Sequence, residues 1–272
     1  MTYALVVSLC LVNLACGEEK LNAKKDASQP EAKKADKPAA PVANPTDAPA
    51  RAILDRLEKA GDAFTTLRTD IRYEVVNRMT GEKEQRTGWA AYQKETKDQP
   101  AKFRVNFQTL RLEEGPETRN QVDYVFDGRF VTKDQYNTKT RTQWQVAAEG
   151  EKIEPLKIGK GPFPVPFGQK TNDVLALLQA RTRNPDPSDP PDTDYLKLTP
   201  LPGKEKDVNF NRLEMWISRK TDLPVKLIAR DENENIKTVT FTNTKTDAKI
   251  DPKLFNVPKP AGFELIVQRL EQ

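Results

Sequence analysis

The chain has 272 residues, room for one domain of ordinary size plus appendages. Its 44 basic and 40 acidic residues are interleaved and leave a net charge of only +4, so no basic stripe marks a nucleic-acid surface. There is no histidine, and Cys10 and Cys16 both sit in the first apolar stretch. The commonest general base and metal ligand are thus missing, a zinc site would need carboxylates alone, and thiol catalysis and internal disulfides are set aside once the N-terminus is processed.

Ala4 to Val12 is an apolar run too short to span a bilayer as a helix, and it reads as the core of a secretory signal, although no Lys or Arg precedes it. The step Leu14-Ala15-Cys16 resembles a bacterial lipobox, in which the cysteine is lipidated and becomes the first residue; Asn13 stands where that pattern has leucine. Lipidation at Cys16, ordinary cleavage, and no export stay open on the residues alone. From Gly17 to Pro49 the chain is rich in Ala, Lys, Pro, Glu and Asp and nearly free of large apolar side chains. Such a segment cannot offset its ordering entropy by burial, so a disordered tether is expected, with a coil reach of about 30 Å. The expected organisation is a signal over 1–16, a tether over 17–49 and one folded domain over 50–272.

Arg51 to Leu67 carries apolar residues at three- and four-residue spacing, Ile53, Leu54, Leu57, Ala60, Phe64 and Leu67, and predicts an amphipathic helix. Thr46 or Asp47, with Pro49 close behind, can begin it. The period then becomes two. The runs "IRYEVVNR", "QRTGWAAYQK", "KFRVNFQTLRLE", "VDYVFDGRFVTKD" and "TRTQWQVA" each read as half-buried strands, with Asp127-Gly128 as a hairpin turn. In the third of these, Phe103, Val105 and Phe107 share one face while Lys102, Arg104, Asn106 and Gln108 share the other. Pro162, Pro164 and Pro166 exclude helix and central strand in "GPFPVPFG", which is expected to be a lid or crossing loop displaying Phe163 and Phe167. Thr171 or Asn172 can cap a short helix through Thr182, with Val174, Leu175, Leu177 and Leu178 apolar. After the loop "NPDPSDPPDTD" the alternation resumes in "YLKLTPL", "DVNFNRLEMWISR", "PVKLIARD", "IKTVTFTNT" and "FELIVQRL". The fold expected is mainly β (α+β): an unclosed antiparallel β-barrel of about eleven strands with helices covering its concave face.

The C-terminal half, "LEMWISRKTDLPVKLIARDENENIKTVTFTNTKTDAKIDPKLFNVPKPAGFELI", resembles bacterial outer-membrane lipoprotein-sorting proteins of the LolA/LolB type. The resemblance is carried by the strand ending at Trp216-Ile217, the Lys220-Thr221-Asp222-Leu223-Pro224 turn, the Asp231-Glu232-Asn233 turn, the strand "TVTFTNTK", and the closing Leu254-Phe255-Asn256-Val257-Pro258 with Gly262. Asp222 stands where the family usually has Gly, and the 182–195 loop is long. The resemblance implies a non-enzymatic, exported, periplasmic protein, monomeric and without cofactor. It would hold lipoprotein acyl chains or other lipid in a hydrophobic half-barrel, with membrane anchoring through Cys16. An alternative is a sensor or protein-interaction module on the same fold.

An acyl chain offers no hydrogen bonds, so its site must be apolar and concave. The candidate cavity residues are Phe103, Val105, Phe107, Tyr124, Phe126, Leu213, Met215, Ile217, Val225, Leu227, Val239 and Phe241 on strands, and Leu54, Leu57, Phe64, Leu175 and Leu178 on helices. Alternating apolar side chains also serve plain core packing, and a slip of one residue would invert a strand's faces. Catalytic groupings are weak: Asp186, Asp189, Asp231 and Glu232 lie in turns, and Ser188 and Ser218 have no histidine partner.

Overall fold

The computed structural model describes residues 46–148 and 169–269. Cys16, the signal, nearly all of the expected tether and the Pro162–Pro166 run lie outside those residues.

Helix α1 (Ala48–Ala63) opens on Asp47, whose carboxylate accepts from the Ala50 amide at 2.8 Å, with Pro49 in the first turn. It begins inside the stretch expected as tether and ends at Ala63, short of Leu67, because Phe64 already adopts extended backbone (φ −115°, ψ 154°). Leu67 is buried, but from a strand: its spacing from Phe64 suits a helical face, and its pairing partners Tyr92 and Thr246 hold it in the sheet.

Twelve strands follow among the described residues: β1 (Thr66–Val76), β2 (Lys83–Gln93), β3 (Lys102–Leu112), β4 (Thr118–Phe126), β5 (Phe130–Gln135), β6 (Thr140–Gln145), β7 (Leu178–Arg181), β8 (Thr193–Pro200), β9 (Arg212–Ser218), β10 (Pro224–Arg230), β11 (Ile236–Thr246) and β12 (Glu264–Gln268). They form one sheet in the order β12-β6-β5-β4-β3-β2-β1-β11-β10-β9-β8-β7. Its end strands β12 and β7 do not pair with each other, so the barrel is unclosed. Every neighbouring pair is antiparallel except β12 with β6, which is parallel. Helix α2 (Thr171–Leu177) stops before the expected Thr182. Leu178 and Ala180 instead alternate along β7 opposite Pro200 and Leu198, which the apolar run Val174–Leu178 could not distinguish from a longer helix. No α2 side chain caps its first turn; Glu58 of α1 reaches across and accepts from the Thr171 amide at 2.7 Å. The free side of β7 is blunted by the start of α1: Ala180 accepts from the Asp47 amide and donates to Thr46 Oγ1.

The register defines two faces. One, here the inner face, carries Leu67, Ile71 and Tyr73 of β1 together with the side of the sheet on which α1 lies. The outer face carries Arg68, Asp70 and Arg72 on the same strand. Between β2 and β3 the register shifts at Gly88, where a Cβ would stand 1.9 Å from the Asn106 carbonyl oxygen, so the close strand approach admits only glycine.

On the outer face a polar row crosses β3 to β6: Asn106 lies opposite Asp123, Asp123 opposite Asp134, and Asp134 opposite Arg141. Asp123 and Asp134 are 0% and 1% exposed. Arg141 Nε and Nη2 donate to the two oxygens of Asp134 at 2.7 and 2.6 Å, and Arg104 forms the same fork on Asp123 at 3.1 and 3.0 Å. The spare guanidinium hydrogens reach the returning C-terminal segment: Arg104 donates to the Leu254 carbonyl and Arg141 to that of Pro258. Phe255 and Phe263 are buried beside this row, and the Phe263 ring stands edge-on to Tyr136 at 5.3 Å before the chain enters β12.

Removing one member of such a buried pair strands the other charge, so Arg141→Met is expected to cost about 3–5 kcal/mol in urea unfolding, most of it recovered in the double variant Arg141→Met/Asp134→Leu. Additive losses in the double variant would show that the pair is not the cause. Gly88→Ala is expected to lose at least about 3 kcal/mol by the same measurement, because backbone rather than a flexible side chain must move.

Candidate functional site

The inner face is built by matching parities on ten strands. Leu196 and Leu198 of β8 sit opposite Met215 and Leu213 of β9, and Leu227 of β10 sits between Met215 and Val239. Val239 and Phe241 of β11 stand opposite Tyr73 and Ile71. On the far side of β1, Tyr92, Ala90 and Gly88 of β2 meet Phe103, Val105 and Phe107 of β3, which in turn meet Phe126, Tyr124 and Val122 of β4. Val131 of β5 and Trp144 of β6 complete the row. The expected strand residues therefore share one face, with one exception. Val225 lies at a register shift, and Pro224 takes the position opposite Ile217, so Val225 is half-buried and outside the row.

Helix α1 covers the β7–β8 end with Leu54 and Leu57 buried, beside Leu175 of α2. Leu178 is fully buried, from β7 rather than from a helix. At the C-terminal end of α1, Phe64 packs with Leu67 and Leu223 and stands edge-on to Tyr92 at 6.5 Å. Polar contacts add to this burial. Arg56 pairs with Asp194 of β8 and approaches Asp222 at 3.6 Å, while Arg51 donates to Asn172 at 2.8 Å. Asp222 occupies left-handed backbone (φ 53°), the conformation that glycine adopts freely at this turn; the nearby guanidinium gives its side chain a partner that glycine would lack.

Among the described residues, the middle of the face is only partly covered. Ala90, Tyr92, Val105, Trp144 and Val239 are only half-buried, while Phe103, Phe126 and Val131 beneath them form a core cluster. Further along β2, the parity that carries Tyr92, Ala90 and Gly88 continues to Arg86 and Glu84. The Arg86 and Glu84 side chains are 12% and 16% exposed and paired at 2.5 Å, and Arg86 Nη1 also donates to Asn120. Lys133, opposite Tyr124, places its ammonium 5.7 Å from that ring. Burial raises the Tyr73 and Tyr124 phenols well above their ordinary value, and desolvation, followed by the Arg86 charge, lowers the Lys133 ammonium. Sequence reasoning passed over Arg86, Lys133 and Tyr73. For Arg86 and Lys133 the signal was a charged residue on the apolar parity of its strand.

The residues weighed for catalysis serve turns. Ser188 donates to Asp186 Oδ1 at 2.6 Å, and Asp231 accepts from the amides of Asn233 and Asn235. Asp189 receives both Arg183 guanidinium hydrogens and the Trp216 indole N–H, which holds its carboxyl far below the usual carboxylate range and folds the 182–192 loop onto Trp216. Among the described residues, no group of three acidic or cysteine side chains is arranged to hold a metal, and no helix is long and apolar enough to cross a membrane.

In fold, the chain resembles LolA superfamily structures. One such protein, from Nitrosomonas europaea, shares 11% identity at a TM-score of 0.35, over 76% of this chain and 96% of that one. A putative outer membrane lipoprotein-sorting protein domain from Vibrio parahaemolyticus shares 10% at 0.36, over 76% and 96%. An uncharacterized conserved protein from Thermus thermophilus shares 13% at 0.47, over 81% and 99%. No protein-family model and no curated protein matches the sequence.

Lys133 carries its charge where solvation is poor, so the folded state binds that proton less tightly than the unfolded chain does. The penalty is present in full at neutral pH and fades as pH rises through the lowered folded value toward about 10.4, the unfolded one. Lys133→Met is therefore expected to raise Tm at pH 7, with a gain that shrinks when melts are repeated near pH 10; a gain independent of pH would point to packing instead.

Proposed function

We propose that the protein binds lipoprotein acyl chains, or another lipid, along its inner face without doing chemistry on them, and serves lipoprotein sorting or outer-membrane delivery. In this reading it is exported to the periplasm, works as a monomer and is anchored to a membrane through a lipidated Cys16. One observation carries it: a single apolar row runs from Leu196 through Met215, Leu227, Val239 and Ile71 to Phe103 and Phe126, with half-buried side chains in its middle. About ten methylenes buried there would contribute about 8 kcal/mol, before the costs of association, with no catalytic group needed. Met215, on that row, suits a ligand of variable shape. The candidate residues kept for the cavity are Leu54, Leu57, Phe64, Phe103, Val105, Phe107, Tyr124, Phe126, Leu175, Leu178, Leu213, Met215, Ile217, Leu227, Val239 and Phe241.

A second reading draws on the edge strand β12, whose Leu265, Ile266 and Val267 are 46%, 43% and 43% exposed. Such an edge can accept an extended peptide by strand addition, as a sensor or protein-interaction module would.

Val239 and Thr240 are neighbours that point to opposite faces. A fluorescent fatty-acyl probe is expected to bind the wild type, to bind Val239→Asp at least about tenfold more weakly, and to bind Thr240→Asp nearly as before. No probe binding, together with native mass spectra of membrane-extracted protein free of lipid, would sink the lipid reading; β12 amides protected from hydrogen exchange by a bound peptide would then favour the second. Palmitate incorporation lost in Cys16→Ala tests the anchor separately.

A further inference from the structure

An acyl chain needs no polar partner, yet one end of the inner face carries Arg86, Lys133 and the Tyr73 phenol. Tyr73 is 5% exposed, and its Oη has no hydrogen-bond partner among the described residues, an arrangement that is costly for a buried donor. The register sets the groups in two pairs, and the Lys133 ammonium feels the charges of Arg86 and Glu84. Tyr73 stands directly opposite Arg86, and Tyr124 directly opposite Lys133. The Phe107 ring lies between the two tyrosines, at 5.8 and 6.3 Å. Glu84 is already bound to Arg86, and Asp231, the other carboxylate acting on Tyr73, is taken by Lys237; Lys133 makes no ion pair among the described residues. The set is therefore one negative charge short of balance, with an unused phenol donor on the same face.

The geometry points to a binding site for the anionic group of an amphiphile, a carboxylate or phosphate held by Lys133, Arg86 and the Tyr73 hydroxyl, with its acyl chains along the apolar row. This assignment rests on the acyl-chain reading and narrows it to charged lipids. Arg86 lies six positions along β2 from Tyr92, about 20 Å at strand rise, so the charged end and the α1 end of the face stand a long chain apart. A half-buried ammonium with no ion pair among the described residues, on the same face as a buried phenol with no acceptor, is a lining that an anionic group would complete.

The test compares a fluorescent fatty acid with its methyl ester on the full-length protein. The acid is expected to bind about tenfold more tightly than the ester, the ratio collapsing toward one in Lys133→Met and Arg86→Gln and narrowing about threefold in Tyr73→Phe. Lys226→Met, on the outer face beside Trp216, should keep the wild-type ratio. Equal affinities for acid and ester in the wild type, or a ratio that survives in Lys133→Met, overturn the anion site while leaving the acyl-chain reading intact. Failure of both probes overturns both. Lys133→Met is expected to melt higher than wild type, so its result does not depend on a damaged fold. Displacement of the acid probe by millimolar inorganic phosphate would assign the site to a free anion and overturn the amphiphile; no displacement supports it.

Discussion

Asp123 and Asp134 lie side by side on the outer face, fully buried, and the arrangement of β3 to β6 follows from the need to neutralise them. Each carboxylate takes a forked guanidinium, and each arginine then spends a further donor on a carbonyl of the C-terminal segment. The desolvation cost of four charges is met only when that segment is in place. Burying this row commits the outer face of β3–β6 to the protein's own chain. The inner face of the same strands has no such cover from the outer segment, and there the half-buried side chains are found.

The inner face changes character along its length. Near α1 it is aliphatic and aromatic and closed by the helix, which buries Ile53, Leu54 and Leu57 and adds ion pairs from Arg56. In the middle its apolar side chains are half-buried. At the far end it holds charge and an unsatisfied phenol. A face serving only as core would be expected to lose Lys133 and the Tyr73 hydroxyl, since leucine-like and phenylalanine side chains there would cost less. Their presence sets this end apart from ordinary packing.

Alternation revealed most of the strands because a sheet with one apolar face repeats at two residues, and the Phe103–Val105–Phe107 row stood on one face as read. Legibility failed where two periods coincide or the period slips. Leu67 follows Phe64 at a helical interval yet pairs with Tyr92, and the run Val174–Leu178 reads equally as helix or strand. Val225 fell outside the face because one register shift hands its place to Pro224, and bulges have no signature in a plain hydropathy pattern. The Asp123–Asp134 row was invisible for a different reason: Arg104 and Asn106 look like solvated residues until a chain segment some 150 positions later returns to cover them, as the Arg104 bond to Leu254 does.

The central ladder joins the two ends of the domain. Leu67 pairs with Thr246, and β6 waits for β12 more than a hundred residues later. Loop closure over such separations is slow, and the strands flanking β1 cannot both be present until nearly the whole chain has been made. An emerging polypeptide of this topology stays without its middle for most of its synthesis. Late assembly prolongs the interval in which the edge of β1 that will meet β11 stands unpaired.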